Sequence, residues 1–160
     1  MLFDLLRLAA NSLFIVCFEQ FLHLLSHNPR YGGPLYRWHK LHHIDYPLHK
    51  LQSDKYINSG EGHIIENRFL YCILITQFCI YNLTSYRTFL IFFVQSMSYS
   101  IFVNYIHIQY HLKNSYLNKY ELFRKHRDYH LLHHKKMRYN MGFITNKMDK
   151  LNGTFLETDD

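Results

Sequence analysis

The histidines of this chain follow a pattern that occurs twice. A His-x-x-His-His triplet stands at residues 39–43 and again at residues 130–134, and each is preceded by a pair spaced i, i+4, at 23–27 and 107–111. On an α-helix, positions i, i+3 and i+4 lie within about 100° of arc, so each triplet places three imidazoles on one helix face. The ten histidines in the pattern are His23, His27, His39, His42, His43, His107, His111, His130, His133 and His134.

This pattern predicts a site for two metal ions. Neutral imidazole is the commonest protein ligand for transition metals. A structural zinc site uses four ligands, so ten histidines suit two ions with about five imidazoles each. A lone histidine is usually a surface or satisfied core residue, and we expect this of His49 and His126. His126 is in phase with His130 but has no counterpart in the first half of the chain.

Three apolar segments predict membrane helices, at about residues 5–25, 69–84 and 88–106. The second and third are separated by a short polar break, which predicts a helical hairpin that crosses the membrane and returns. A soluble, buried hairpin is the alternative, because the mean hydropathy of the chain is -0.23. Between the first two segments, helix-breaking Pro and Gly residues predict a loop at 28–34. We expect a short helix after it, from near Leu35 to before Pro47.

The first apolar segment is interrupted by Arg7 and Glu19. A signal peptide would also begin at residue 1, but no small-residue cleavage site follows, and cleavage would discard His23. We therefore interpret it as a retained membrane helix. Glu19 lies four residues before His23 and shares its face, which makes it a candidate to orient that imidazole.

The positive charge is unevenly distributed. All but two of the 18 Lys and Arg residues lie in segment 28–68 or after His111; the exceptions are Arg7 and Arg87. By the positive-inside rule, both triplets lie on the cytosolic side of the membrane. We expect an all-α integral membrane protein with about three spans and a histidine-rich cytosolic helical cap that holds a di-metal centre. The basic residues are juxtamembrane, so we expect no nucleic-acid binding.

His63 is a further candidate ligand or supporting residue, and Glu66, three residues later, and Asn104 in the last apolar segment are further candidates to support the ligands. The three cysteines lie in apolar segments without C-x-x-C spacing, so we expect no disulfide framework and no zinc finger. The chain reads as a single domain over residues 1–160.

The order of pair, triplet, hairpin, pair and triplet resembles the fatty acid hydroxylase / sterol desaturase superfamily. The tail adds to this, with Asn140-Met141-Gly142, then Asp149, then Gly153-Thr154. The resemblance covers about residues 19–155 and adds Asp149 as a candidate to support the site. The chain departs from the family pattern at Met148, where a tryptophan is usual, at Asn152, where Phe is frequent, and in its three predicted spans, where four are common.

The resemblance implies a membrane-bound, non-haem di-iron enzyme that uses O2 to oxidise a lipid C–H bond. The ten histidines are then the metal ligands, for two iron ions or for zinc in purified protein. Electrons come from an external donor such as cytochrome b5 and its reductase. The implied location is the endoplasmic reticulum membrane, with the histidine boxes facing the cytosol.

The outcome of the reaction stays open at this level. Segment 107–111 and the tail resemble fatty acid 2-hydroxylases, whereas residues 36–43, with His63 and Glu66, resemble sterol desaturases. Hydroxylation of a fatty acyl or sterol-type C–H bond is the first hypothesis, and desaturation is the alternative. A catalytically inactive protein with a structural zinc pair is a further hypothesis. A haem-binding bundle ranks last, because it uses only two of the histidines.

Overall fold

The computed structural model describes residues 2–57 and 69–158, and the side chains of residues 69–71 lie outside that description. Within these ranges the chain forms helices and no β-strand, which confirms the all-α class. A 3₁₀ turn at Tyr116–Lys119 precedes the fifth α-helix. The α-helices are α1 (Leu2–Ser26), α2 (Gly33–Asp45), α3 (Phe69–Leu83), α4 (Tyr86–Tyr110), α5 (Glu121–Lys135) and α6 (Lys147–Asn152).

Helices α1 and α4 lie side by side and run in the same direction. Near their N-termini, Arg87 forms an ion pair with Asp4 at 2.8 Å. Further along, the amide of Asn11 donates to Gln95 at 3.0 Å, and Gln95 donates in turn to the Ser12 hydroxyl at 2.6 Å. Because polar side chains inside an apolar helix pair need partners, these contacts fix the two helices in register. Both helices end at the histidines.

Two helices are long and apolar enough to cross a membrane, α1 and α4, each with 25 residues. Only 28% of the most apolar window of α1 and 17% of that of α4 is buried. A soluble core helix would be mostly buried, so these exposed apolar faces favour a membrane over a soluble hairpin.

The apolar segment predicted at about residues 69–84 forms a helix that is shorter than a full membrane span. Helix α3 has 15 residues, or about 22 Å at 1.5 Å per residue, against a hydrocarbon core of about 30 Å. The prediction of three full spans is therefore not confirmed. The predicted hairpin is present: a short turn joins α3 to α4, Ser85 caps α4 by accepting a hydrogen bond from the Thr88 amide, and Gln77 donates to Ser96 across the pair at 2.9 Å.

Helix α2 turns back tightly onto the end of α1. A Cβ on Gly32 would lie 2.4 Å from the Leu25 carbonyl oxygen and 2.6 Å from that of Asn28. Only glycine fits this close approach. The helix begins two residues earlier than predicted and ends at Asp45, before Pro47, as expected.

We predict that Gly32→Ala destabilises the protein by about 1–3 kcal/mol, because the added methyl group must displace backbone atoms. Gly33→Ala is the matched control: its Cβ would meet nothing within 4 Å, although its φ is +52°. The control substitution should lower the free energy of unfolding by only about 1 kcal/mol, through backbone strain. Denaturant unfolding in detergent measures both, and equal losses would contradict the close approach at Gly32.

Candidate metal centre

Nine of the ten predicted histidines converge in two clusters. In each cluster, one ring nitrogen from every member lies within 4.8 Å of those of all the others. Cluster A is formed by His23, His27, His39 and His133; cluster B is formed by His42, His107, His111, His130 and His134.

The tenth histidine, His43, lies between the clusters. Its Nε2 is 3.0 Å from Nε2 of His39 in cluster A, and its ring centroid is 4.2 Å from that of His134 in cluster B. The structure thus brings together all ten histidines of the sequence pattern. Each triplet supplies both clusters, since His39 and His133 lie in cluster A whereas His42 and His130 lie in cluster B.

The rings meet through their Nε2 atoms. Nε2 of His39 lies 3.1 Å from Nε2 of His23 and 2.9 Å from that of His27. A single Nε2 carries at most one proton, so hydrogen bonds cannot account for contacts to three neighbouring rings. Two nitrogens bound at about 2.1 Å to one ion, at a right angle, are about 3.0 Å apart. The donor set therefore fits a shared metal ion.

Backbone carbonyl groups orient several of these rings. Nδ1 of His23 donates to the Met141 carbonyl at 2.5 Å, and Nδ1 of His133 donates to that of Tyr139 at 2.8 Å. A ring that donates through Nδ1 keeps its Nε2 lone pair for a metal. Two histidines of cluster B are held in the same way, His111 by the Leu51 carbonyl at 2.8 Å and His134 by the Tyr46 carbonyl at 3.3 Å.

Burial keeps these imidazoles neutral. Desolvation lowers the pKa of His27 to about 4 and that of His111 to about 4. It also lowers the pKa of His133 to about 3, where the neighbouring His27 adds to the effect. Neutral imidazole is the form that binds metals, so both clusters are ready to bind at neutral pH.

Asp149 fixes the loop that orients His23. This carboxylate is fully buried and accepts hydrogen bonds from the backbone amides of Met141 at 2.8 Å and Gly142 at 2.9 Å. It also accepts one from the Gln20 amide of α1 at 3.1 Å. The Met141 carbonyl in turn accepts the hydrogen bond of the His23 ring. Asp149 therefore supports cluster A indirectly, through the position of Met141.

The rest of the tail motif closes the same loop. The Thr154 hydroxyl donates to the Asp149 carboxylate at 2.8 Å. The Asn140 side chain pairs with the backbone of Leu156 through two hydrogen bonds of 2.9 Å. Gly153 ends α6 with a φ of 70°, a left-handed conformation that glycine adopts without strain.

Phe143 was not singled out by the sequence pattern, yet its ring lies between the clusters. It stacks on His23 with centroids 4.7 Å apart and is 4.9 Å from the His107 ring. Its backbone amide donates to Glu19 at 3.0 Å, and the second oxygen of Glu19 accepts from the Tyr99 hydroxyl. Glu19 therefore acts on His23 through the position of Phe143.

Tyr46 was also missed. Its buried ring stacks on His111 at 3.9 Å, while its carbonyl accepts the hydrogen bond of His134. Its hydroxyl accepts a hydrogen bond from the Ile57 amide at 2.6 Å. Tyr46 thus covers one side of cluster B. Aromatic residues are so frequent in this chain that its sequence position gave no signal.

The remaining histidines that the structure describes belong to neither cluster. His49 is exposed, as predicted, and His126 belongs to neither cluster. Asn104 lies on α4, three residues before His107, and its support of the ligands stays a prediction. His63 and Glu66 lie outside the described residues.

We predict that Asp149→Asn lowers metal content and destabilises the fold by about 1–3 kcal/mol, because an amide cannot accept all the hydrogen bonds that the carboxylate accepts. Asp128→Asn makes the same chemical change in a half-exposed ion pair with Arg127 and should cost less than about 1 kcal/mol. Elemental analysis and thermal unfolding compare the two. The proposed support of His23 fails if Asp149→Asn retains full metal content.

We also predict that acid destabilises chelator-treated protein. The pKa values of His27, His111 and His133 are lower in the folded protein than the unfolded value of about 6.5. Protons therefore bind the unfolded chain more tightly, and stability falls as the pH drops from about 6.5 towards 4. Thermal unfolding in detergent at pH 7.5, 6 and 5 measures this, and an unchanged midpoint would contradict the burial of neutral rings.

Comparison with known proteins agrees with this geometry. The family model for fatty acid hydroxylases matches residues 8–154, which include both clusters and the Asp149 loop. Searches of curated proteins and of solved structures gave no match. The family match spans most of the chain, and fatty acid hydroxylases are membrane-associated, metal-dependent enzymes that oxidise lipids. This chain belongs to the fatty acid hydroxylase family.

Proposed function

We propose that the protein is a membrane-bound lipid hydroxylase that uses O2 at a pair of iron ions to oxidise a fatty acyl or sterol-type C–H bond. The observation that carries the proposal is the convergence of ten imidazoles, nine of them in two adjacent clusters and the tenth, His43, in contact with both. Family membership supports the oxidation of a lipid.

In this proposal cluster A holds one ion, cluster B holds the other, and His43 lies between them. The donor set is imidazole alone, with no carboxylate in either cluster among the described residues. Once bound, the two irons supply the activation of O2 for attack on a lipid C–H bond. Loop carbonyls fix the rings in the metal-binding tautomer, and Phe143 and Tyr46 pack against them and exclude water.

The position of the clusters favours a lipid substrate. His23 lies in the last turn of α1 and His107 in the last turn of α4, the two helices able to span a membrane. A lipid held between these helices would therefore have part of its chain close to the clusters. We infer that the clusters face the cytosol, because the basic segments lie at this end. We propose the endoplasmic reticulum membrane on the family resemblance alone.

The reaction also needs electrons from outside the chain. Reducing O2 while inserting one oxygen atom into a C–H bond consumes two electrons, which neutral imidazoles do not supply. We propose an external carrier such as cytochrome b5 with its reductase. Exposed cations on the helix that carries the second triplet favour an acidic partner. They are Arg124 and Lys125 on α5 and Lys135 and Lys136 at its end.

We predict that detergent-purified protein carries about two metal ions per chain, as the two clusters require. His133→Ala should reduce this number, because His133 belongs to cluster A and approaches His27 to 3.0 Å. His49→Ala is the matched control and should retain full metal content. Elemental analysis measures all three proteins, and well-folded wild type that holds no metal would overturn the di-metal proposal.

The reaction products then distinguish hydroxylation from desaturation. Iron-loaded protein is incubated with O2, a reductant and candidate lipids, and the products are analysed by mass spectrometry. Hydroxylation adds one oxygen atom, whereas desaturation removes two hydrogen atoms. Metal-dependent stability without O2 consumption would favour a structural zinc pair instead.

A further inference from the structure

The 3₁₀ turn at Tyr116–Lys119 lies against the side of α4 rather than beyond its end. The Tyr105 hydroxyl of α4 donates to the Tyr116 hydroxyl of the turn at 3.1 Å. Tyr105 precedes the last residue of α4, Tyr110, by five positions, which is about 7.5 Å along the helix axis. Because α4 is a candidate membrane span, the turn lies beside this span, close to the end from which the histidines emerge.

Segment 113–122, which contains the turn, exposes aromatic and apolar side chains. Tyr116 is 62% exposed, Tyr120 is 52% exposed and Leu122 is 70% exposed. On α4 itself, Tyr105 is also exposed, so this surface continues from the span onto the turn. Tyrosine is enriched where a membrane meets water, because its ring is apolar and its hydroxyl is polar. The exposed side chains therefore suit the headgroup region of a membrane.

Basic side chains accompany these rings. Lys113 and Lys119 are both exposed. The Lys119 ammonium lies 5.0 Å from the centroid of the Tyr120 ring and 5.8 Å from that of the Tyr116 ring, within the range of cation–π attraction. Residues 113–125 hold four Lys or Arg residues and a single acidic residue. The surface is thus positively charged and complements an anionic partner.

Asn118 fixes the backbone that carries the two lysines. Its side-chain amide donates to the Lys113 carbonyl at 3.0 Å, and its side-chain oxygen accepts from Arg127 at 2.7 Å. Its backbone carbonyl accepts from the Arg124 guanidinium at 2.8 Å. Lys119 directly follows Asn118 in the chain. These hydrogen bonds order the turn before any ligand binds, which lowers the entropic cost of binding.

We propose that segment 113–122 lies in the headgroup region of the membrane and binds an anionic phospholipid through Lys113 and Lys119. The exposed rings and Leu122 pack beside the lipid, and the two ammonium groups attract its negative headgroup. A zwitterionic phospholipid is attracted less, because its own cation cancels the phosphate charge. Binding at this surface requires neither metal nor O2, so it is independent of the proposed reaction.

The test offers the protein two phospholipids with identical acyl chains, dioleoylphosphatidylglycerol, which is anionic, and dioleoylphosphatidylcholine, which is zwitterionic. Equal amounts are added to full-length, chelator-treated protein in detergent, and native mass spectrometry measures the ratio of the two bound lipids. One basic side chain near a lipid surface contributes about a fivefold preference, so two lysines should favour the anionic lipid by about five- to thirtyfold. Higher ionic strength should reduce the ratio, because exposed charges are screened.

Lys113→Gln combined with Lys119→Gln removes both charges but keeps polar side chains, and it should bring the ratio close to one. Lys135→Gln combined with Lys136→Gln is the matched control. It removes the same charge from the other end of α5, about 21 Å from Glu121 along the helix axis. The control should keep the preference of the wild type.

Equal binding of the two lipids by the wild type would overturn the proposal, whatever the variants do. An equal loss of preference in both double variants would also overturn it, since net charge rather than this surface would then select the lipid. An undiminished preference after loss of Lys113 and Lys119 would leave these lysines to another occupant, such as an acidic protein, and would contradict the proposal as well.

The surface and the proposed enzyme fail separately. A protein that prefers the anionic lipid but holds no metal supports the lipid surface and contradicts the di-metal enzyme. A protein that holds two metals and binds both lipids equally does the reverse.

Discussion

The structure depends on keeping many imidazoles neutral in a small buried volume. Burial alone removes the charge, but it leaves one N–H on each ring that needs an acceptor. Backbone carbonyls of Leu51, Tyr46, Tyr139 and Met141 supply acceptors for four of the rings. All four lie in connections between helices. The helices thus bring the rings together, and the connections decide which nitrogen faces the clusters.

Sequence periodicity predicted much of this arrangement. Spacing of i, i+3 and i+4 places residues on one helix face, so the ten converging histidines could be named in advance. Periodicity carries no information on which helices meet, and it could not assign His133 to the cluster that contains His23. Hydropathy predicted the α3–α4 hairpin and the bounds of α3. Its count of three full spans is not confirmed, because the 15 residues described for α3 are fewer than the roughly 20 that a bilayer requires.

The supporting residues were harder to foresee. Asp149 was a candidate only through the family resemblance, since a single carboxylate in a tail has no periodicity. Phe143 and Tyr46 are two of many aromatic residues, and only the fold gives them their place against the rings. Glu19 was named for its position on the His23 face, but its actual partners, Tyr99 and Phe143, come from distant parts of the chain.

The two triplets are interlocked. His133 completes the cluster built from the N-terminal half, and His42 completes the cluster built from the C-terminal half. Neither half of the chain therefore contains a finished cluster, however well its own helices form. During synthesis, the first cluster stays incomplete until α5 has emerged and docked. Occupancy of both clusters thus reports that the entire chain has reached its final topology.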